Sequence, residues 1–207
     1  MRVSKDPEER RKEILDRAEM LFITKGYSKT TVNDILQMVG IAKGTFYYYF
    51  KSKEEVMDAI VMRFINLGVE AAKDVASDPN SKAPEKIFKI LMAQNPDTSR
   101  KEEMIEQLHQ ANNVEMHQKS LVETILHLTP ILTEVVEQGI KEGSFKTPYP
   151  KEVVEFLLAS SQFMFDTGIF QWQPQEIIQK AKAFAYIAET VLGAEKGSFG
   201  YITKMFE

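Results

Sequence analysis

The 207-residue sequence predicts an all-α protein in which three short N-terminal helices are joined, by a long fourth helix, to a larger helical domain. Apolar residues recur at helical spacing along almost the whole chain, and no run alternates apolar and polar residues as a half-buried strand would. Only 10 glycines and 8 prolines occur, mostly between the periodic segments. With 43% apolar residues, the chain can form one large domain or a small domain joined to a larger one. We expect about nine helices, divided into domains at 1–53 and 54–207.

Composition argues against several classes of function. Cysteine is absent, which excludes disulfides, thiolate metal sites and cysteine nucleophiles. No apolar run approaches the roughly 18 residues that span a bilayer, so we expect a cytoplasmic protein that does not enter a membrane. The net charge of −4 is uneven: residues 1–53 carry eleven Lys and Arg against seven Asp and Glu, and the remainder carries 15 against 23. A basic head on an acidic body suits a protein that contacts phosphate with one end.

The first helix has clear signals at both ends. Asp6 can cap it, Pro7 suits the first helical position, and Gly26 ends it. Between them lies one apolar stripe at helical spacing, formed by Ile14, Leu15, Ala18, Leu21 and Phe22.

Two short helices follow. The first begins at Thr31, and Asp34 stands three residues later as a variant of the capping box. A tight turn at Gly40 separates it from a second helix over roughly 43–50. Helices of about eight residues are marginal in water, so both must pack against their neighbours.

The fourth helix begins with a cap at Ser52, is long, and fades over 77–81. Pro130 should kink or split one of the later helices, and Gly143 should end it with Phe145 folding back. We expect the tail at 194–207 to lie on the surface. The later helices are predicted over 83–95, 99–111, 113–142, 150–171 and 174–193.

The composition of the third helix indicates what the pair of short helices does. Phe46 and Phe50 are four residues apart, so they define a buried face. An ordinary helical hairpin would place solvated residues on the other face, yet three consecutive tyrosines stand there. Hydroxyl-bearing aromatic residues beside lysines are suited to contacting phosphates, sugars and base edges. The opposite face would present Lys43, Gly44, Thr45, Tyr47, Tyr48 and Tyr49.

The segment that contains both short helices runs from Thr31-Val32-Asn33-Asp34-Ile35 through Val39-Gly40-Ile41-Ala42-Lys43-Gly44-Thr45-Phe46-Tyr47-Tyr48-Tyr49-Phe50 to Lys51-Ser52-Lys53-Glu54-Glu55. It resembles the DNA-binding helix-turn-helix of the tetracycline-repressor (TetR) family. The resemblance covers about the first sixty residues. It implies a DNA-binding transcriptional regulator rather than an enzyme, with double-stranded operator DNA as its partner.

The resemblance also implies individual roles. Thr31 would contact a phosphate, and Tyr47 and Lys53 would anchor flanking phosphates. It implies no base contact for Tyr49. The residues that would face the major groove are Lys43, Gly44, Thr45 and Tyr48.

A homodimer is expected on physical grounds. One helix-turn-helix buries little surface, whereas two copies about 34–36 Å apart fit a pseudo-palindromic site. The last two predicted helices are apolar on more than one face, so each needs two partners. The resemblance implies that they pair with their symmetry mates as a four-helix bundle. The candidate interface residues are Phe156, Leu157, Ser160, Met164, Ile178, Ala181, Ala185 and Ala188.

The middle helices are where members of this family enclose an effector pocket, and a small apolar or amphipathic effector is the implied ligand. Methionine and phenylalanine at helical spacing are equally typical of a plain core, and that alternative stays open. Asn113 is among the polar residues that could mark a pocket. The candidate lining residues are Phe64, Phe88, Met92, Met104, Leu108, His117, Leu121, Ile125, Phe163 and Thr167.

Three functions therefore remain. The first is a repressor released from its operator by a small molecule, and the second is a regulator that is constitutive or controlled by a protein partner. The third, a helical enzyme or carrier, would need a catalytic pair, a metal or a cofactor, and the sequence shows no motif for any of these. His109, His117 and His127 lack metal-binding spacing.

Overall fold

The computed structural model describes residues 6–94 and 113–206, and within these ranges it has nine α-helices and no strand. The all-α class is confirmed. The helix predicted over 99–111 lies outside the described residues. The described helices are α1 Pro7–Lys25, α2 Val32–Val39, α3 Lys43–Tyr49, α4 Lys53–Ser77, α5 Ala83–Ala93, α6 Val114–Glu142, α7 Pro150–Met164, α8 Pro174–Leu192 and α9 Tyr201–Lys204.

The described residues form two compact units. The first comprises residues 6–65 and 113–120, and the second comprises residues 66–94 and 121–206. The units divide α4 after Ile65, so the first half of this helix belongs with α1, α2 and α3. The start of α6 also belongs to the first unit.

The core of the first unit contains the predicted apolar stripe of α1 and the two phenylalanines of the third helix. The buried side chains include Ile14, Leu15, Ala18, Phe22, Ile35, Phe46, Phe50, Val56, Met57, Ile60, Val61 and Met116.

The predicted cap of α1 is corrected by the structure. Asp6 precedes α1, but its side chain makes no capping hydrogen bond. Its carbonyl accepts from the amide of Arg10 at 2.9 Å.

The end of α6 packs closely on the segment that follows it. Phe145 is buried, and its amide donates to the carbonyl of Gly139 at 3.1 Å. A Cβ on Gly139 would lie 2.1 Å from Cδ2 of the Phe145 ring. The predicted fold-back of Phe145 is therefore confirmed. It requires glycine at position 139, because any Cβ there would overlap the Phe145 ring.

Two predicted helices differ from the structure. α6 is continuous through Pro130, so this proline does not split it. α7 ends at Met164 and not at 171. The Asp166 carboxylate accepts from the amides of Gly168 at 2.8 Å and Ile169 at 3.1 Å, and this local turn competes with continued helix.

The C-terminal segment is not a surface-lying tail, as the sequence suggested, but part of the second core. Phe199 and Ile202 are buried, and the Phe199 ring stacks on Phe145 with centroids 6.3 Å apart. The Glu189 carboxylate on α8 accepts from the amides of Gly197 at 2.8 Å and Phe199 at 3.1 Å. These bonds fix the approach to α9. None of the described helices combines the length and apolar character needed to cross a membrane.

We predict that Gly139→Ala lowers the free energy of unfolding by about 1–3 kcal/mol, because the new methyl group would overlap a buried aromatic ring. Urea unfolding measures the change. The neighbouring Ile140→Ala, at a side chain that is 37% exposed, is the control and should cost less. Equal losses for the two variants would contradict the close contact.

Candidate nucleic-acid interface

The start of α2 is fixed by a complete capping box. The Asp34 amide donates to the Thr31 hydroxyl at 3.2 Å, and the Thr31 amide donates to the Asp34 carboxylate at 2.7 Å. The same carboxylate accepts from the Thr31 hydroxyl at 2.8 Å and from the Lys25 ammonium at 2.6 Å. The bond from Lys25, followed by those from Thr31, lowers the pKa of Asp34 to about 2. The capping box predicted from the sequence is confirmed, and Lys25 adds a link from α1 that the sequence did not reveal.

The turn between α2 and α3 requires glycine. Gly40 has φ +73° and ψ +40°, a left-handed conformation that side-chain-bearing residues rarely adopt. Its amide donates to the Leu36 carbonyl at 2.9 Å, which ends α2. Two short helices joined in this way are a helix-turn-helix.

One face of α3 is fixed in the core. Phe46 and Phe50 are 0% and 1% exposed, and their ring centroids lie 6.1 Å apart. The Arg11 guanidinium of α1 lies 5.0 Å from the Phe50 ring centroid. These contacts leave α3 little freedom to rotate about its axis.

The opposite face of α3 is open to solvent. Tyr48 is 77% exposed and Tyr47 is 46% exposed, and the Lys43 ammonium lies 5.9 Å from the Tyr47 ring centroid. Gly44 is also exposed, and no atom lies within 4 Å of where its Cβ would be. Thr45 is half-buried. The surface therefore combines a cation, two phenol hydroxyls and a point where the backbone can approach a partner closely.

Tyr49 lies differently from its two neighbours. It is half-buried, packs against the first core, and meets the Tyr48 ring edge-on at a centroid distance of 4.9 Å. The sequence placed it on the exposed face with Tyr47 and Tyr48, and the structure corrects that placement.

Lys53 also lies apart from the exposed surface of α3. Its ammonium donates to the carbonyl of Tyr27 at 2.8 Å and sits 4.0 Å from the centroid of the Tyr27 ring. Burial lowers its pKa, although the nearby Glu115 acts in the opposite direction. The residue expected to anchor a phosphate is thus bonded within the first unit.

Sequence reasoning missed an ion-pair cluster between α1 and α4. Arg63 donates to Asp16 at 2.6 Å and also pairs with Glu19, which is 7% exposed. Acidic and basic residues at positions 16, 19 and 63 are ordinary on helices, and no local pattern connects them. The cluster ties the two longest helices of the first unit together.

The predicted effector residues are distributed over both units and over residues outside the described ranges. Phe64 and His117 belong to the first unit, whereas Phe88, Met92, Leu121, Ile125, Phe163 and Thr167 belong to the second, and Met104 and Leu108 lie outside the described residues. Phe88, Met92, Phe163 and Thr167 are exposed. Asn113, considered as a pocket polar group, is 2% exposed, and its Oδ1 accepts from the amide of Tyr27 at 3.0 Å. The pocket stays a prediction.

The predicted dimer residues divide into two groups. Ala181, Ala185 and Ala188 are 0–6% exposed and lie in the chain's own core, so they offer almost no surface to a partner. Phe156 is 77% exposed and Ser160 is exposed. The half-exposed members are Leu157, Met164 and Ile178.

The exposed apolar residues of α7 and α8 form a different set. Phe156 and Phe163 are seven residues apart on one face of α7, and Phe163 is 50% exposed. On α8, Tyr186 and Ile187 are 66% and 48% exposed, and Val191 is 38% exposed. The sequence could not decide which face of α8 is internal, because both faces carry small or apolar side chains.

The helix-turn-helix and the exposed face of α3 place the chain among helix-turn-helix DNA-binding proteins. A model described as bacterial regulatory proteins, tetR family, matches residues 14–60. A model described as tetracyclin repressor-like, C-terminal domain, matches residues 97–187.

Individual relatives agree with these family models. The HTH-type transcriptional repressor KstR2 of Rhodococcus jostii is 33% identical over 155 residues, which cover 70% of this chain and 72% of KstR2. A crystal structure of a putative TetR-family regulator from Syntrophomonas wolfei matches with a TM-score of 0.65 and 21% identity, covering 97% of this chain and 96% of that one. SmeT, the repressor of the Stenotrophomonas maltophilia multidrug efflux pump SmeDEF, matches with a TM-score of 0.62 and 19% identity, covering 91% and 92%.

The chain belongs to the TetR family of bacterial regulatory proteins, and it is a DNA-binding transcriptional regulator. The two structural matches support the fold alone, because sequence identities of 19% and 21% are too low for function to be carried over.

The capping box predicts a specific pH dependence. The pKa of Asp34 falls from 3.8 to about 2 on folding, so its charged form stabilises the native state above pH 4 and this contribution is lost as the pH falls toward 2. Asp34→Asn should therefore be less stable than the wild type at pH 6, and the difference should shrink between pH 4 and pH 2. Urea unfolding midpoints measure it, with Asp74→Asn, at an exposed position of α4, as the control. A difference that is constant with pH would contradict the ionic role of Asp34.

Proposed function

We propose that this regulator is a dimeric repressor that binds a pseudo-palindromic operator and is released when a small molecule binds the second unit. The observation that carries the DNA-binding part is the surface of α3. The helix α3 buries Phe46, and its C-cap residue Phe50 is buried as well, while Lys43, Tyr47 and Tyr48 are presented to solvent. A helix enclosed in a hydrophobic core would not expose two tyrosines and a lysine to solvent on one face.

The exposed residues have distinct proposed roles in the major groove. Lys43 contributes a cation that can donate to guanine acceptors or to phosphate, and Gly44 lets the helix backbone approach the base edges. Thr45 and Tyr48 contact bases or sugars, and Tyr47 donates its hydroxyl to a flanking phosphate. The proposed groove-facing set is Lys43, Gly44, Thr45, Tyr47 and Tyr48.

Thr31 has a more limited proposed role. Its hydroxyl and amide both donate to Asp34, so a phosphate at this position would be held mainly by the positive end of the α2 dipole. A direct bond from the Thr31 hydroxyl to phosphate requires that hydroxyl to leave Asp34.

The repressor and effector parts rest on the relatives. KstR2 is named a transcriptional repressor, and the C-terminal family model is described as tetracyclin repressor-like. We infer the same type of control here, with an apolar or amphipathic small molecule as the signal. The proposed activity is binding alone, with no catalytic step, and it takes place in the cytoplasm, where the bacterial chromosome lies.

A selection of random DNA duplexes on the purified protein tests the DNA claim and identifies the operator. A fluorescent operator duplex is then titrated with the wild type and with a Lys43→Ala, Tyr47→Ala double variant. We expect weaker binding and a shallower dependence on salt concentration for the variant, because phosphate contacts are lost. Unchanged affinity and slope would remove α3 as the DNA-binding surface.

Native mass spectrometry of protein purified from its bacterial host tests the effector claim. A co-purifying small molecule that weakens operator binding when added back supports release by an effector. If extracts of small molecules leave operator binding unchanged, control by a protein partner or constitutive binding is the better description.

Gly44→Ala separates DNA recognition from folding. The added methyl group meets no atom within 4 Å, and alanine is a better helix former than glycine, so the variant should be at least as stable as the wild type. Operator affinity should fall about fivefold or more, because a close backbone approach now meets a methyl group. Thermal unfolding and fluorescence titration measure the two effects, and Thr24→Ala, exposed on α1, is the control. A stabilised variant with full affinity would show that Gly44 does not face the groove.

The dimer proposal uses the exposed stripe of α7 and α8. Phe156→Glu should turn a dimer into a monomer without lowering the stability of the folded chain, because Phe156 is 77% exposed within one subunit. Light scattering after gel filtration measures the mass. Tyr149→Glu, at a side chain that is 64% exposed just before α7, should leave the dimer intact. A Phe156→Glu variant that remains dimeric places the interface elsewhere.

A further inference from the structure

The first turns of α6 present three residues to the first unit at a spacing of three. Asn113 directly precedes the helix and Met116 lies in its first turn, and both are buried. Lys119 follows one turn later and is half-buried. Residues three apart are neighbours on one side of a helix, so these three form a single surface, the α6 face. Gln118 is exposed and lies outside it.

Asn113 holds the connection between α1 and α2. Its Oδ1 accepts from the amide of Tyr27 at 3.0 Å, across 86 positions of sequence. Both residues are buried, so water cannot easily replace the acceptor if this bond is lost. The cost of an unpaired amide therefore keeps Tyr27 in its place against α6.

The position of Tyr27 determines where α2 begins. The Thr30 amide donates to the carbonyls of Gly26 and Tyr27, both at 3.2 Å, and the Thr30 hydroxyl donates to the carbonyl of Gly26 at 2.8 Å. Thr30 is buried, and the next residue, Thr31, is the N-cap of α2. A shift at Tyr27 is therefore passed on through this turn to the amino terminus of α2.

Met116 and Lys119 attach α6 to the first unit at two further points. Met116 belongs to the buried cluster that also contains residues of α1 and α4. The Lys119 ammonium pairs with the Asp58 carboxylate of α4 at 2.5 Å. Both members of this ion pair are partly open to water, so it contributes less than the two buried contacts.

We propose that the α6 face positions the helix-turn-helix for operator binding, with Asn113 as its main positioning residue. Asn113 contacts no DNA in this mechanism: its side chain fixes Tyr27, and Tyr27 fixes the start of α2. α6 continues to Glu142 in the second unit, so the helix that holds this connection also belongs to the unit proposed to bind the effector. The proposal rests on the proposed use of α3 for the operator, and the experiments below keep the two claims separate.

Operator titrations test the effect of the Asn113 side chain. Asn113→Ala should bind the operator about fivefold or more weakly, because the unpaired Tyr27 amide no longer fixes α2. The slope of log affinity against log salt should stay at the wild-type value, since no phosphate contact is lost. Gln118→Ala, on the same helix but outside the α6 face, is the control and should bind like the wild type. Wild-type affinity for Asn113→Ala overturns the proposal, whereas absence of operator binding by the wild type overturns the proposed function instead.

Hydrogen exchange of the Tyr27 amide, followed by NMR, shows whether affinity is lost by the proposed route. This amide should exchange faster in Asn113→Ala than in the wild type or in Gln118→Ala, because its acceptor is gone. Asn113→Asp keeps an oxygen at the same position, so it should recover both the protection of the amide and the operator affinity. The two measurements should change together in every variant that circular dichroism shows to be folded. A folded variant that changes one without the other overturns the route through Tyr27.

A measurement on the wild type avoids any loss of folding in the variants. Coupling between two contacts is reciprocal, so operator binding that is favoured by the α6 face must also stabilise that face. Exchange of the Tyr27 amide and of the α6 amides over 117–120 should therefore slow when the operator is added, although the proposal puts no DNA at these groups. A duplex of unrelated sequence at the same concentration is the control and should slow them less. Exchange that the operator leaves unchanged at all of these amides overturns the proposal.

Discussion

The exposed surface of α3 depends on how two of its side chains are buried. α2 and α3 have eight and seven residues, too few to be stable in water alone. Phe46 and Phe50 fix α3 among apolar residues of α1 and α4. Because the two rings occupy one face, the lysine and two tyrosines must occupy the other. Hydrophobic burial thus determines which face of α3 is exposed, and polar contacts then adjust the position of that face.

Polar contacts then determine which cations remain available to a partner. The N-terminal segment has an excess of basic residues, yet several of them are committed internally. Arg10 pairs with Glu13, Lys25 with Asp34, and Lys53 bonds the Tyr27 carbonyl. The formal charge of a segment is therefore larger than the number of basic side chains that are available to bind DNA phosphates. Exposure and bonding, more than the count, distinguish Lys43 from the lysines that stabilise the fold.

Features with a local cause could be predicted from the sequence. The capping box of Thr31 and Asp34, the glycine turn at Gly40 and the fold-back of Phe145 each depend on residues within a few positions of one another. The buried face of α3 follows from helical spacing alone. Most helix bounds were predicted to within two residues for the same reason.

Features that join distant residues could not be predicted. Nothing near Tyr27 indicates that Asn113, 86 positions away, bonds its amide. The alanines of α8 suit a core and an interface equally well, and only the packing of the second unit decides for the core. The end of α7 was missed because apolar residues continue past Met164, while the Asp166 turn that stops the helix involves no glycine or proline at its start.

The sharing of α6 between the two units has a consequence for modularity. Families of regulators invite the construction of chimeras, in which the head of one protein is fused to the sensor of another at a boundary drawn along the sequence. In this chain a cut after Ile65 would leave behind Asn113, Met116 and Lys119, all of which belong to the first unit. The transferable head is therefore discontinuous: a functional graft has to carry residues 113–120 together with the N-terminal segment, and exchange between relatives is constrained to variants that keep both pieces compatible.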